Sequence, residues 1–394
     1  MDKIKNIKDI NIKNKRVLIR VDFNVPMKDG KITDDNRIRA ALPTIQYAIS
    51  QEAKVILASH LGRPDGKKDL KYTLEPVGEK LAELMNMDIV FAHDCIGEGV
   101  WAIIENMKYG SVVLLENLRF YAQEEANDKS FAQELSKLCD VYISDAFGTV
   151  HRAHASTVGI TEFVKDKGAG FLLEKEIENL SAVVNSPKRP FVAILGGVKV
   201  SDKIAIVENF SKNADVMIIG GAMAYTFLKA KGFNMGDSLV ENDKIELAKK
   251  IITRFETKGL KLLLPVDHIV ANELKDGVAW EITKDQNIPA GKKGLDIGPK
   301  TIELFKNALK DAAMVVWNGP MGVFETKPFD NGTVQIAHML AESNAYTVVG
   351  GGDSASAVKK AGVMDKITHV STGGGASMEF LEGTKLPGIA ALES

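Results

Sequence analysis

The chain has 394 residues, more than one hydrophobic core supports, so two domains are expected. Apolar residues make up 45% and the formal net charge is -2 at pH 7, which excludes a chain-wide basic face for nucleic acid or an anionic membrane. Two cysteines argue against a disulfide framework, the opening Met1-Asp-Lys-Ile-Lys-Asn6 lacks a signal peptide's apolar core, and no apolar run approaches membrane-spanning length; a reducing compartment, most simply the cytoplasm, is expected.

In chain order, the stretch Arg16 to Pro26 reads as a strand that Pro26 stops. Arg20, Asp22 and Asn24 alternate with apolar residues, so they can share one side; Asp22 is expected to orient Arg20, leaving Asn24 to touch a ligand. Asp34-Asp-Asn-Arg37-Ile-Arg39 opens a helix through Ala40, Leu42 and Ile45, where acidic residues suit the first turn. Arg37 runs against that dipole preference, which hints at a duty outside the helix. Lys54 to Pro64 is a strand and loop, with His60 and Arg63 just past the strand's end. Ser111 to Phe120 repeats the pattern with Arg119, and Val141 to His154 repeats it with His151, Arg152 and His154. The two histidines alone are a weak zinc signal, since no cysteine or carboxylate cluster joins them. Ligands sit at the carboxyl edge of open parallel sheets. If these strand ends share such an edge, Arg20, Arg37, His60, Arg63, Arg119 and Arg152 form a basic bowl for a small ligand with several negative charges.

Lys165 to Gly170 is a polar, glycine-bearing break, followed by a helix pattern from Phe171 to Val184 and a proline-rich stop at Asn185 to Pro190. That helix reads as a domain connector or as an ordinary element within one domain. Beyond it, Phe191 to Leu195 is a buried-strand run ended by Gly196 and Gly197, and Ile204, Val207 and Phe210 begin a helical rhythm. Free N–H groups and the helix dipole there suit an anion, with Lys199 and Lys203 on one face; a structural glycine turn with two solvated lysines reads equally well from this stretch alone. Five more strand runs follow: Val216 to Ala222, Lys261 to His268, Met314 to Glu325, Tyr346 to Ser354 and His369 to Gly375. Helical patterns such as Asp243 to Phe255 and Lys300 to Lys310 separate most of them. Strands alternating with helices predict an α/β chain with doubly wound parallel sheets.

Gly350-Gly-Gly-Asp-Ser-Ala355 fits the dinucleotide fingerprint, but the acid expected roughly twenty residues on is replaced by Ser371 and Thr372, which counts against a nicotinamide dehydrogenase. No P-loop motif occurs. Asp353, at a glycine-rich helix start, suits Mg²⁺ on a phosphate chain or a helix cap. Glu325 suits ribose hydroxyls or solvent, and Gly373 to Gly375 aim another helix start at an anion.

Taken together, Arg20-Val-Asp-Phe-Asn-Val-Pro26, Ser59-His-Leu-Gly-Arg-Pro64, Leu115-Glu-Asn-Leu-Arg-Phe120 and Asp145-Ala-Phe-Gly-Thr-Val-His-Arg-Ala-His-Ala-Ser156 resemble the phosphoglycerate kinases. Gly196 to Lys203, Gly294-Leu-Asp-Ile-Gly-Pro299, Trp317 to Glu325, Gly350 to Ser354 and Ser371 to Ser377 extend the likeness along essentially the whole chain. Val150 and Val198 stand where the family often has alanine. The resemblance implies two Rossmann-like domains facing each other across a hinged cleft, in a monomer that binds neither nucleic acid nor membrane. Residues 1–170, with a returning tail from about 378 to 394, would bind 3-phosphoglycerate or 1,3-bisphosphoglycerate. Residues 171–377, including the connecting helix 171–185, would bind MgADP or MgATP. It carries Asp22, Phe23, Asn24, Arg37, His60, Leu61, Gly62, Arg63, Arg119 and Arg152 over as substrate contacts. Lys203, Gly294, Glu325 and Gly351, Gly352, Asp353 and Ser354 carry over as nucleotide contacts, with Asp353 near Mg²⁺. Arg37, Lys199 and Gly373, Gly374 and Gly375 are expected to serve catalysis. A non-catalytic phospholigand-binding protein on the same scaffold is the alternative of a different class.

Overall fold

In the computed structural model, which describes residues 4–393, the chain folds as two compact units. One runs through Glu178 and takes in the segment from Lys385 onward; the other runs from Asn179 to Thr384. Residues 1–3 and Ser394, where the readings of the N-terminus and the tail end, lie outside the described residues.

The first unit is built on six parallel strands: β1 (Arg16–Val21), β2 (Lys54–Ala58), β3 (Ile89–Ala92), β4 (Val112–Leu115), β5 (Val141–Asp145) and β6 (Asp166–Ala169), in the order β3-β4-β2-β1-β5-β6. Central strands are apolar because helices cover both faces. Val17, Ile19, Val55, Leu57, Val112 and Leu114 meet Ile38, Ala41 and Ile45 of the helix Asn36–Ser50 in one core. The segment read as a polar break is in fact the edge strand β6. Its Asp-Lys-Gly-Ala composition carries no strand propensity; pairing with β5, and a single bridge between Ala169 and Asn6 on the other side, make it a strand.

The second unit has a parallel sheet of β7 (Phe191–Leu195), β8 (Val216–Ile219), β9 (Lys261–Leu263), β13 (Met314–Asn318), β14 (Tyr346–Gly350) and β15 (His369–Val370), ordered β9-β8-β7-β13-β14-β15. All six runs expected from sequence enter it. The run Lys261 to His268 is not one strand, however. Pro265 follows β9, and His268 begins β10 (His268–Ala271) of a separate antiparallel sheet with β11 (Trp280–Ile282) and β12 (Lys293–Ile297), ordered β11-β10-β12.

The helix Phe171–Asn185 runs on from one unit into the other, the units dividing between Glu178 and Asn179. Asp145 Oδ1 accepts from the Leu172 and Leu173 N–H groups at 2.9 and 3.2 Å, fixing its first turn to β5. Further along, Asn179 accepts from the Tyr346 hydroxyl and Val184 from Asn213, which belong to the second unit. The segment from Lys385 onward groups with the first unit. The helix Gly375–Leu381 stays in the second unit, where Asn209 donates to the Leu381 carbonyl at 2.7 Å. Gly388 donates to the Val150 carbonyl at 2.8 Å, in a contact too close for a Cβ.

Candidate functional site

Because the strands of the first unit are parallel, β1, β2, β4 and β5 end on one edge, and the residues after them meet there. Arg20 lies at the heart of the edge but is not a surface cation. It is 1% exposed, donates to Ser156 Oγ at 2.8 Å and lies 3.9 Å from the buried Glu124 carboxylate. Asp22 therefore does not orient Arg20. It pairs with Arg37, whose Nη1 donates to both carboxylate oxygens at 2.9 and 2.8 Å. The duty that Arg37 has outside its helix begins with this pair.

Burial first, then the positive charges of Arg20, Arg119 and Arg37, hold the His60 pKa well below the usual 6.5. Arg20 Nη2 lies 3.3 Å from His60 Nδ1. A guanidinium can only donate, so Nδ1 accepts and the neutral ring keeps its proton on Nε2. His154 is likewise lowered to about 4, by burial and then by Arg20, Arg119, Arg152 and His151. These shared influences tie Arg20, Arg37, Arg119 and Arg152 to one electrostatic neighbourhood. Arg119 is buried, donates to the Gly62 carbonyl at 2.8 Å and faces Glu125 at 3.2 Å. Arg152 is exposed, with Nε 3.2 Å from His151 Nε2. Arg63 stands exposed on its loop.

Three of the expected contacts, Phe23, Leu61 and Gly62, also brace this edge through their backbone N–H groups. Phe23 is buried in the core and its N–H donates to Ser59 Oγ. The Leu61 N–H donates to Asn117, and the Gly62 N–H donates to Asn24 Oδ1 at 2.9 Å. Their backbone donors are already used, and Asn24 spends its carbonyl oxygen holding the loop that leads to Arg63.

In the second unit, consecutive strands diverge where β7 meets β13, and a cavity of ≈ 760 Å³ opens there. Gly197, Asn318, Gly319 and Gly351 to Ser354 line it, together with Gly294 of β12. Gly319, at φ +98, passes so close to the Gly196 carbonyl that any side chain would collide with it. Lys203 is the cavity's buried cation, 8% exposed, donating to the Asn318 carbonyl at 3.0 Å and also to its side-chain oxygen. Burial lowers its pKa to about 8, against the opposing pull of Asp353 and Asp202. Asn318 in turn donates to the Gly350 carbonyl at 2.9 Å, linking the lysine to the glycine turn. Val198, Leu239 and Leu274, exposed apolar residues, also line the cavity, as a flat apolar ring would require. Glu325 is exposed at its border.

Lys199 and Lys203 do not share a helical face. Residues Ser201–Lys203 form a 3-10 turn, the helix Ile204–Asn213 starts after it, and Lys199 is exposed on the preceding loop. Nor are the N–H groups at that turn free: Val200 and Ser201 both donate to the Glu241 carboxylate. At the last glycine turn, the Gly373 N–H donates to Ser371 Oγ at 3.2 Å, while Gly374 and Gly375 begin the helix Gly375–Leu381.

Asp353 is exposed in the first turn of the helix Gly352–Lys360, makes no capping bond and lines the cavity. Among the described residues no group of three or more His, Cys, Asp or Glu side chains gathers to hold a metal. One carboxylate fits a cation such as Mg²⁺ that takes its other ligands from phosphate and water. No helix of the described residues is long and apolar enough to cross a membrane, and Cys95 and Cys139 are free and buried.

Asn318, Glu124 and Glu241 were not foreseen. Asn318 ends an apolar strand run before Gly319, a signal that could have marked it; Glu124 and Glu241 sit in unremarkable polar stretches.

A family model described as phosphoglycerate kinase matches residues 7–384. A phosphoglycerate kinase of Anaeromyxobacter sp. (strain Fw109-5) is 56% identical over 393 residues, covering 99% of each chain. One of Clostridium botulinum (strain Hall) is 53% identical over 390 residues, covering 98% of each. The solved phosphoglycerate kinase from Coxiella burnetii superposes with a TM-score of 0.91 at 41% identity over 99% of both chains. That from Pyrococcus horikoshii OT3 gives 0.85 at 36% over 98%.

Proposed function

Because the chain belongs to the phosphoglycerate kinase family, we propose that its basic edge takes 3-phosphoglycerate or 1,3-bisphosphoglycerate and its glycine-lined cavity takes MgADP or MgATP. The reaction is the reversible transfer of the acyl phosphoryl group of 1,3-bisphosphoglycerate to ADP, giving 3-phosphoglycerate and ATP, a step of glycolysis and gluconeogenesis. The observation that carries the nucleotide half is Lys203, a cation held buried against a cavity of glycine turns, where a phosphate chain would repay its desolvation.

The attacking or leaving group on the substrate is a carboxylate, already deprotonated near neutral pH, so no general base is needed. Catalysis then rests on positioning and on charge stabilisation of the moving phosphoryl group, transferred in line. Arg37, half-exposed beside Asp22, and the exposed Lys199 are the charges proposed for its oxygens. Gly374 and Gly375 are proposed to add backbone N–H donors; Gly373, with its N–H engaged, would shape the turn instead. Asn24, His60 through its Nε2 proton, Arg63, Arg119 and Arg152 are proposed to grip the glycerate and its phosphates. Glu325 is proposed for the ribose, and Gly294 and Gly351 to Ser354 for base and phosphates. Mg²⁺, arriving with the nucleotide and touching Asp353, would neutralise phosphate charge. In-line transfer requires donor and acceptor to meet, so a hinge-closing step that also expels water belongs to the proposal. A monomer acting in the cytoplasm completes it, and size-exclusion chromatography checks the oligomeric part.

A coupled assay for ATP formed from 1,3-bisphosphoglycerate and ADP tests the reading. Turnover that needs both substrates and Mg²⁺ is expected. Binding of both ligands without turnover would instead mark a phospholigand-binding protein, and stabilisation by NAD a dehydrogenase.

A further inference from the structure

Glu241 lies outside every motif described above, yet its half-buried carboxylate reaches the loop that carries Lys199. Oε2 accepts from the Val200 N–H at 2.5 Å and from the Ser201 N–H at 3.2 Å, while Oε1 accepts from Ser201 Oγ at 2.5 Å. The residue is itself anchored, because its N–H donates to Oγ1 of the buried Thr226 at 3.1 Å, on the helix Met223–Ala230. The loop's other end is pinned as well. Gly197 donates to the Pro320 carbonyl at 2.9 Å and accepts from the Met223 N–H at 3.1 Å. Only Val198 and Lys199 span the two pins. Both are exposed, and Val198 lines the cavity.

We propose that Glu241 is a positioning residue for phosphoryl transfer, fixing the two-residue bridge at the cavity mouth from which Lys199 reaches the moving phosphoryl group. The inference rests on the role proposed for Lys199. A carboxylate suits the task because it accepts several bonds at once and carries the charge that N–H groups at a turn preceding a helix favour. It also fills those donors, so they cannot capture a nucleotide phosphate away from Lys203. With Glu241 removed, one end of the bridge is free, and a displacement of about 1 Å at a reacting group can cost on the order of 100-fold in rate.

The test is a kinetic cycle on the full chain: wild type, Glu241→Ala, Lys199→Ala and the double variant, with kcat and ADP affinity measured for each. Glu241→Ala is expected to lower kcat by roughly 10- to 100-fold with ADP affinity changed less than about threefold. In the Lys199→Ala background the same change should cost less than about twofold, because the residue it positions is gone. Equal losses in both backgrounds, or an undiminished kcat in Glu241→Ala, would overturn the positioning role alone. An undiminished kcat in Lys199→Ala would overturn the role of Lys199 and this inference with it. Should Glu241→Ala fail to fold, Glu241→Asp and Glu241→Gln decide. Glu241→Gln keeps the reach and is expected to retain more kcat than Glu241→Asp, which draws the carboxylate back by one methylene; the reverse order contradicts the inference.

Discussion

Replacing Lys203 with methionine should stabilise the second unit while removing nucleotide binding. Burial lowers the lysine from its ordinary 10.5 to about 8. The folded value lies below the unfolded one, so between about pH 8 and 10.5 the unfolded chain holds more protons and stability rises with pH. Below about pH 8 both states are protonated and the full cost of burying the charge is present. At about 1.4 kcal/mol for each tenfold change in proton affinity, that cost is ~3 kcal/mol at pH 7. Methionine removes it but leaves the Asn318 side-chain oxygen without its donor, which returns about 1 kcal/mol. The net gain of ~2 kcal/mol corresponds to roughly 4–8 °C in the melting temperature of a unit this size. Thermal melts of both proteins by circular dichroism at about pH 7 and about pH 9.5 read it directly, with the gap shrinking at the higher pH. A variant no more stable than wild type at pH 7, or a gap that ignores pH, would refute the reasoning.

Arg37→Ala should lower kcat far more than it weakens ADP binding; lost ADP affinity with kcat unchanged would refute its role. Arg20→Met should destabilise the first unit by roughly 3–5 kcal/mol in urea unfolding, since Glu124 is left buried without its cation. Adding Glu124→Gln should recover much of that loss, and no recovery would mean that the pair is not the cause. His154, held at about 4, is protonated first in the unfolded chain, so stability should fall as pH drops from about 6.5 toward 4. His154→Asn should flatten part of that fall, and superimposable acid-unfolding curves would contradict it.

Runs such as Phe191 to Leu195 and Val112 to Leu115 announced themselves, because a strand buried on both faces must be apolar throughout. Asp166 to Ala169 and Trp280 to Ile282 did not, since edge pairing rather than side-chain pattern makes them strands. Cations past strand ends pointed to the first unit's site, but their partners were hidden. Arg20 and Glu124 are 104 positions apart, and only the fold shows that Arg20 is neutralised in the interior while Asp22 serves Arg37. Likewise Lys199 and Lys203 look alike in sequence, and the 3-10 turn between strand and helix sends one to solvent and buries the other. Glu241 was invisible because a carboxylate that caps a distant turn leaves no local pattern.

Calorimetric titration of 3-phosphoglycerate and of ADP into wild type, Arg152→Ala and Lys203→Met separates the two proposed ligand sites most directly. Arg152→Ala is predicted to bind 3-phosphoglycerate at least about tenfold more weakly and ADP as wild type does, with Lys203→Met showing the reverse. Unchanged 3-phosphoglycerate affinity in Arg152→Ala, or ADP affinity falling with it, would contradict a glycerate site in one unit and a nucleotide site in the other.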